Sequence, residues 1–210
     1  MTDTRTAYQK ILTGKVGYGP DPEIVAIQTE ARRLARIFND TPEDDLPARQ
    51  AAFSALIGKP FHGLVRSPFM VDYGIHITIG MSYVNMNCVF LDASTITVGD
   101  GCAIGTGVQL LAAGHPVDPA ERLIRGEPGG EPPFRAGVLA KPIVIGDEVW
   151  IGGGVIVLGG VTIGRGSTIG AGSVVTRSVP SFSVAAGNPA RVLRTLERKP
   201  TYFHPDPNDP

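Results

Sequence analysis

The sequence predicts a mainly β protein, a solenoid of short parallel strands with a helical segment at its N-terminal end. Three observations carry this expectation. Ile145, Ile151, Val157, Ile163, Ile169 and Val175 recur every six residues without a break. Gly146, Gly152, Gly164 and Gly170 directly follow four of them. Residues 1 to about 58 lack that rhythm and carry three-four apolar spacing with capping residues instead. A period of six is too short for a helical repeat. It suits one short strand plus a tight turn, with the aliphatic residue pointing into a column and the glycine supplying the positive φ of the turn. Three such units close one triangular coil, and stacked coils bury a continuous apolar core.

Taken in order, Asp21-Pro22-Glu23 reads as a helix start, with Asp as N-cap, Pro at the first helical position and an acid in the first turn. Ile24, Ile27, Ala31, Leu34 and Phe38 then form one apolar face. "NDTPEDD" closes that helix and opens a second, on which Phe53, Leu56 and Ile57 point inward and Gly58 marks the C-terminal stop. The expected organisation is a helical hairpin over 1–58, a repeat body over 59–189 and a C-terminal segment over 190–210, where "GNPARVL" opens a short helix. Within the body, Val98, Ile104 and Leu110 keep the six-residue step, and Ile79, Asn85 and Leu91 keep it one register away. The rhythm stops at "LLAAGHPVDP", residues 110–119, and a loop of the chain from 115 to about 141 leaves the coil.

Composition excludes several classes. A net charge of −1 with interspersed signs carries no nucleic-acid signature. The opening "MTDTRTAYQKILTG" has no apolar h-region, and no run approaches the roughly 18 apolar residues of a membrane span, so a soluble cytoplasmic protein is expected. Cys88 and Cys102 read as small core residues; a disulfide between them is possible, but one pair makes no secreted framework. The four histidines, His62, His76, His115 and His204, do not supply three imidazoles for a zinc site in the last coils, so no metal is expected.

The ordered set of motifs resembles the hexapeptide-repeat acyltransferases, and within them the maltose and galactoside O-acetyltransferases. "TGKVGYGPDPEIV…RRLARIFNDTP" is similar to that group's helical N-terminal domain, and "DYGIHITIGMSYVNMNCVFLD" with "GHPVD" to its acceptor site. "KPIVIGDEVWIGGGVIVLGGVTIGRGSTIGAGSVVTRSVPSFSVAAGNPARVL" is similar to its donor half. The resemblance implies a left-handed parallel β-helix, an acetyl-CoA co-substrate, a sugar acceptor and a homotrimer with active sites between subunits.

It also implies roles for particular residues. His115, in a Gly-His-Pro context at the break in the repeat, matches the catalytic histidine. Moving an acetyl group from a thioester to a hydroxyl requires the hydroxyl proton to leave, and an imidazole near neutral pKa suits that task. Cys88 as an acetyl carrier is disfavoured, because "MNCVF" offers no adjacent base. Gly153, in the run Gly152-Gly153-Gly154, is the expected backbone donor to the oxyanion. Asp72, Tyr83, Asn85 and Asp92 are expected at the acceptor, Asn85 standing where the ladder otherwise has an aliphatic residue. Trp150 is expected as an apolar wall for the donor and Ala171 with Gly172 as small surfaces along its pantetheine arm. Thr176, Arg177, Arg191 and Arg194 are expected at its phosphates, which arginine matches bidentately.

Some positions depart from the family pattern. Ala93 stands where galactoside enzymes carry a second acid, and Val138 where maltose-type enzymes have one. Gly19 is nearest the N-terminal acid of the galactoside enzymes, and the loop "DPAERLIRGEPGGEPPFRAGV" is longer than usual. The acceptor is therefore open between a sugar and another hydroxyl compound, including a xenobiotic. A non-catalytic β-helix scaffold would need neither the Gly-His-Pro break, nor Asn85, nor the terminal arginines.

Overall fold

A computed structural model of the chain describes residues 3–126, 129–130, 133–204 and 206. Three helices open it: α1 (Ala7–Leu12), α2 (Pro22–Asp40) and α3 (Leu46–Ile57). The Asp21 side chain caps α2 by accepting from Glu23 N at 3.0 Å. Gly58 ends α3 at φ 64°, the left-handed cap conformation. Phe53, Leu56 and Ile57 are fully buried and continue into the solenoid core. Arg49, buried among them, donates to Thr41 O and Val65 O at 2.7 and 2.8 Å and so ties the hairpin to the first coil.

The body is a parallel β-helix with three faces. Face one stacks Ile77–Ile79, Ile96–Val98, Ile143–Ile145 and Thr162–Ile163. Face two stacks Leu64–Val65, Tyr83–Val84, Ala103–Ile104, Trp150–Ile151, Thr168–Ile169 and Ser183–Gly187. Face three stacks Phe69–Val71, Cys88–Leu91, Gln109–Leu111, Ile156–Leu158 and Val174–Val175. Most of the expected column lies inside, with Ile104, Leu110, Ile151, Val157 and Ile169 essentially inaccessible; in the early coils Val84 and Phe90 take the inner places, and the expected Asn85 and Leu91 stand beside them, partly exposed. Cys88 and Cys102 are buried in this core as free thiols.

Two expectations need correction. The glycines that follow the aliphatic column are not the ones at positive φ; those are Gly154, Gly160, Gly166 and Gly172. Gly152 is required by contact instead, because a Cβ there would lie 2.6 Å from Ala171 N of the next coil. The C-terminal segment is also not the expected helix. Ala190–Thr195 is a strand that pairs antiparallel with Ser183–Gly187. The last coil leaves a row of unpaired backbone groups on face two, and this hairpin strand satisfies them.

The chain leaves the coil after Ala112 and returns at Lys141, whose N donates to Ala112 O at 3.0 Å. The excursion is ordered as strand Ala113–Gly114, a single turn α4 (Pro119–Arg122), and strands Leu123–Arg125 and Phe134–Ala140. Phe134–Ala140 pairs antiparallel with both other strands and with Gly17–Tyr18 from the N-terminal segment. Tyr18 adds a hydroxyl bond to Glu121 O at 2.7 Å. The N-terminal segment and the excursion thus form one sheet beside the solenoid. Among the described residues, no helix is long and apolar enough to cross a membrane.

Candidate active site

His115 follows the short strand Ala113–Gly114, and its Nδ1 lies 2.7 Å from Gly137 O in the middle of Phe134–Ala140. A carbonyl oxygen only accepts, so Nδ1 carries the proton and Nε2 keeps its lone pair. The ring is held as the tautomer able to take a proton at Nε2. Its neighbour Pro116 is buried while the imidazole stays exposed, so packing anchors the residue at its backbone and leaves the ring open.

A cavity of about 510 Å³ opens beside it, between the excursion, α2 and the face-three edge. Polar groups come from one side, with Asp21, Gln28 and Asp72 on the wall. The facing wall is apolar: Phe134, Ala136 and Val138 alternate along one strand and all line the cavity, as period-two geometry requires. Gln28 Nε2 donates to Asp72 Oδ1 at 2.7 Å. Burial raises the Asp72 carboxyl above its ordinary value, against the lowering effect of that bond, and the nearby Asp92 charge adds to the rise.

Asp92 departs from its expected role. It is fully buried, and its carboxylate accepts from Asp72 N, Tyr73 N and His76 N at 3.2, 2.8 and 3.2 Å. Such a carboxylate fixes the turn that carries Asp72; it does not reach an acceptor. His76 sits below the same turn, with Nδ1 2.7 Å from Asp92 O and Nε2 2.8 Å from the Tyr8 hydroxyl, which donates to it. Ala93 is buried with Ile11, Tyr73 and Ala140 in a small cluster under the cavity. An acid in its place would lose its water, so the buried position suits the small apolar side chain it carries.

The remaining site residues fall on two separate corners. Between faces three and one lie Asp72, Asp92, His115, Thr176 and Arg177, the last two exposed just past Val174–Val175. Between faces two and three lie Asn85, Gly153 and Ala171, with Tyr83 and Trp150 on the adjoining face. Asn85 Oδ1 accepts from Met86 N at 2.8 Å within its own turn. Trp150, 58% exposed, stands in an outward rank with Thr168, Val184 and Arg194. The register shift between Val184 and Ala185 puts Arg191 opposite Ala186 and Arg194 opposite Val184, so both arginines share that outward side. One protomer therefore does not bring His115 to Gly153. Cys88 is no substitute nucleophile, because burial pushes its thiol up to about 11.

Gln28, Tyr8, His76 and Phe134 are additions that the sequence did not reveal. The signal for Gln28 was weak: a polar residue four positions after Ile24, on the flank of the apolar stripe. His76 and Tyr8 are far apart in sequence, and only the fold joins them.

A solenoid of stacked coils, whose excursion presents an exposed imidazole over a cavity, fits a β-helical group-transfer enzyme. Residues 142–177 match the bacterial transferase hexapeptide family (six repeats), and residues 10–60 match the maltose acetyltransferase hexapeptide capping motif. The chain is 43% identical to Nodulation protein L of Rhizobium meliloti (strain 1021) over 90% of its own length and 98% of that protein's. It is also similar to the crystal structure of a maltose O-acetyltransferase from Clostridium difficile 630, at 36% identity and TM-score 0.82, covering 93% of this chain and 100% of that one. A hexapeptide-repeat acetyltransferase from Vibrio cholerae O1 biovar eltor, solved in complex with acetyl coenzyme A, matches at 37% identity and TM-score 0.77, covering 92% and 100% of the two chains. The chain belongs to the hexapeptide-repeat acetyltransferases, and its solenoid is their left-handed β-helix.

Proposed function

We propose that the protein moves the acetyl group of acetyl coenzyme A to a sugar hydroxyl by direct transfer, with His115 as general base. His115 Nε2 takes the hydroxyl proton as the oxygen attacks the thioester carbonyl. The tetrahedral oxyanion collapses, the C–S bond breaks, and the coenzyme thiolate leaves with the proton that His115 then returns. The observation that carries this reading is the 2.7 Å contact from His115 Nδ1 to Gly137 O, which frees Nε2 for the proton.

The division of residues between two corners supports a homotrimer, in which a neighbour's Gly153, Asn85, Trp150 and Ala171 meet this protomer's His115 and Asp72. A rotation by a third of a circle that places one corner against the other closes as a ring of three. Gly153 then donates its amide to the oxyanion, Tyr83 and Asn85 complete the acceptor pocket, and Thr176, Arg177, Arg191 and Arg194 take the coenzyme phosphates. A cytoplasmic setting agrees with the two free cysteines. The apolar wall of Phe134, Ala136 and Val138 favours a second reading of the acceptor, a less polar hydroxyl compound or a sugar that carries an apolar substituent.

Thiol release from acetyl coenzyme A across maltose, glucose, a galactoside, an amino sugar, chloramphenicol and serine tests both readings. Release with a sugar is expected, and His115→Ala should lose at least ~10²-fold of it while still binding acetyl coenzyme A. Activity retained in that variant would remove the base assignment; release with chloramphenicol alone would overturn the sugar.

A further inference from the structure

We infer that Gln28 is a specificity-determining residue for the acceptor, its carboxamide and the Asp72 carboxylate acting as one hydrogen-bonding edge that grips hydroxyl groups opposite the apolar wall. The inference rests on the proposed acetyl transfer and goes beyond it, since it assigns acceptor selection to the N-terminal helical hairpin.

The geometry supports it in three ways. Both residues line the cavity that holds His115. Their mutual bond, Gln28 Nε2 to Asp72 Oδ1 at 2.7 Å, orients each side chain toward the same space. Beyond that bond, the pair retains an N–H, an amide oxygen and a second carboxylate oxygen, a mixed edge suited to vicinal hydroxyls. The other polar group of this wall is already committed: Asp21 Oδ1 accepts from Glu23 N and Oδ2 from Tyr8 N. The acceptor edge is therefore Gln28 with Asp72.

Asp72 is also the residue that the backbone clamp at Asp92 positions, because Asp92 Oδ1 accepts from Asp72 N. The edge thus has two fixed supports, one from α2 and one from the solenoid. The charged groups that act on Asp72 are Arg32 from α2 and Asp92 from the turn below; Tyr73 beside it feels Asp72 together with Tyr8, Asp92 and Asp21, and His76 is bound to Asp92.

Two variants test the assignment, assayed with whichever panel sugar releases thiol fastest from the wild-type enzyme. Gln28→Leu should raise the acceptor KM about tenfold, the loss of a hydrogen bond to an acceptor hydroxyl, and leave the acetyl coenzyme A KM unchanged. Gln28→Glu sets a second carboxylate against Asp72, so the pair shares one proton at low pH and repels when both ionise. Its acceptor kcat/KM should therefore fall away from the wild-type profile as pH rises and both carboxylates ionise. A purely structural role would lower activity in both variants and leave a wild-type slope. An unchanged acceptor KM in Gln28→Leu, or a wild-type slope in Gln28→Glu, overturns the inference and leaves acetyl transfer standing. Failure of the wild type to transfer to any acceptor overturns both.

Discussion

At the corner between faces two and three, Asn85, Gly105, Gly152 and Gly170 hold equivalent places in successive coils. Each donates its amide to the next coil's aliphatic residue, at 2.9, 2.8, 2.8 and 2.8 Å. At the corner between faces three and one, the corresponding places break the pattern. Asp92 replaces a small residue and turns its carboxylate onto three amides, and one coil later the chain departs altogether to present His115. The first corner is held by repetition, so a change there disturbs stacking that every neighbour shares. The second is held by single contacts between parts distant in sequence. The polar cavity residues gather where the repeat is violated, because a coil that satisfies all its backbone groups leaves little to offer a substrate.

The largest expected effect lies at the regular corner. Gly152→Val would drive a side chain into Ala171 N, 2.6 Å from the first added carbon, and backbone on both sides cannot yield. We expect a loss of about 4 kcal/mol or more, seen as failure to recover folded protein or as an early urea midpoint. Gly154→Ala, two residues on, meets open space and suffers only its φ of 67°, a cost of about 1 kcal/mol. Equal losses would show that the two glycines serve one purpose and not two.

That pair of glycines also marks how far the sequence could be read. A six-residue period specifies the columns of Ile, Val and Leu because each lies in a core position that tolerates little else, and these columns came out buried. The same period does not say which glycine turns the chain and which makes room for it, since both leave one-letter gaps in the same place. "GNPARVL" reads as the opening of a short helix, whereas the structure makes it a strand whose bulge keeps Arg191 and Arg194 on one side. Gln28 reaches the cavity wall through a contact spanning 44 positions, and Tyr8 meets His76 below the Asp72 turn across 68. Local periodicity carries no trace of such pairings.

An intermediate effect is expected at the irregular corner. Asp92→Ala would leave three amides without their acceptor, one buried and two partly so, at about 1–3 kcal/mol for a buried unsatisfied group before relaxation, and a net loss of about 3 kcal/mol is expected. The turn bearing Asp72 should loosen, so the acceptor KM rises while binding of acetyl coenzyme A stays near wild type. Asp92→Asn keeps one accepting oxygen and should restore part of the stability. Loss of coenzyme affinity in either variant would mean that the two corners are not independent.

The smallest effect is opposite in sign. Burial raises the folded-state value of Asp72 above its unfolded one, so between those two values the folded chain binds more protons than the unfolded chain. Stability must then fall as pH rises through that window, and the deficit persists at neutral pH. Asp72→Asn abolishes the buried charge and keeps an oxygen to accept from Gln28 Nε2. Thermal unfolding should show the variant slightly more stable than wild type at neutral pH, with the gap closing as pH falls below the ordinary aspartate range. Acceptor turnover should fall in the same protein. A carboxylate kept at a cost to folding, beside a cavity, is accounted for by what it binds; a variant that gains no stability would show that Asp72 is fully compensated by its protein neighbours and carries no such tension.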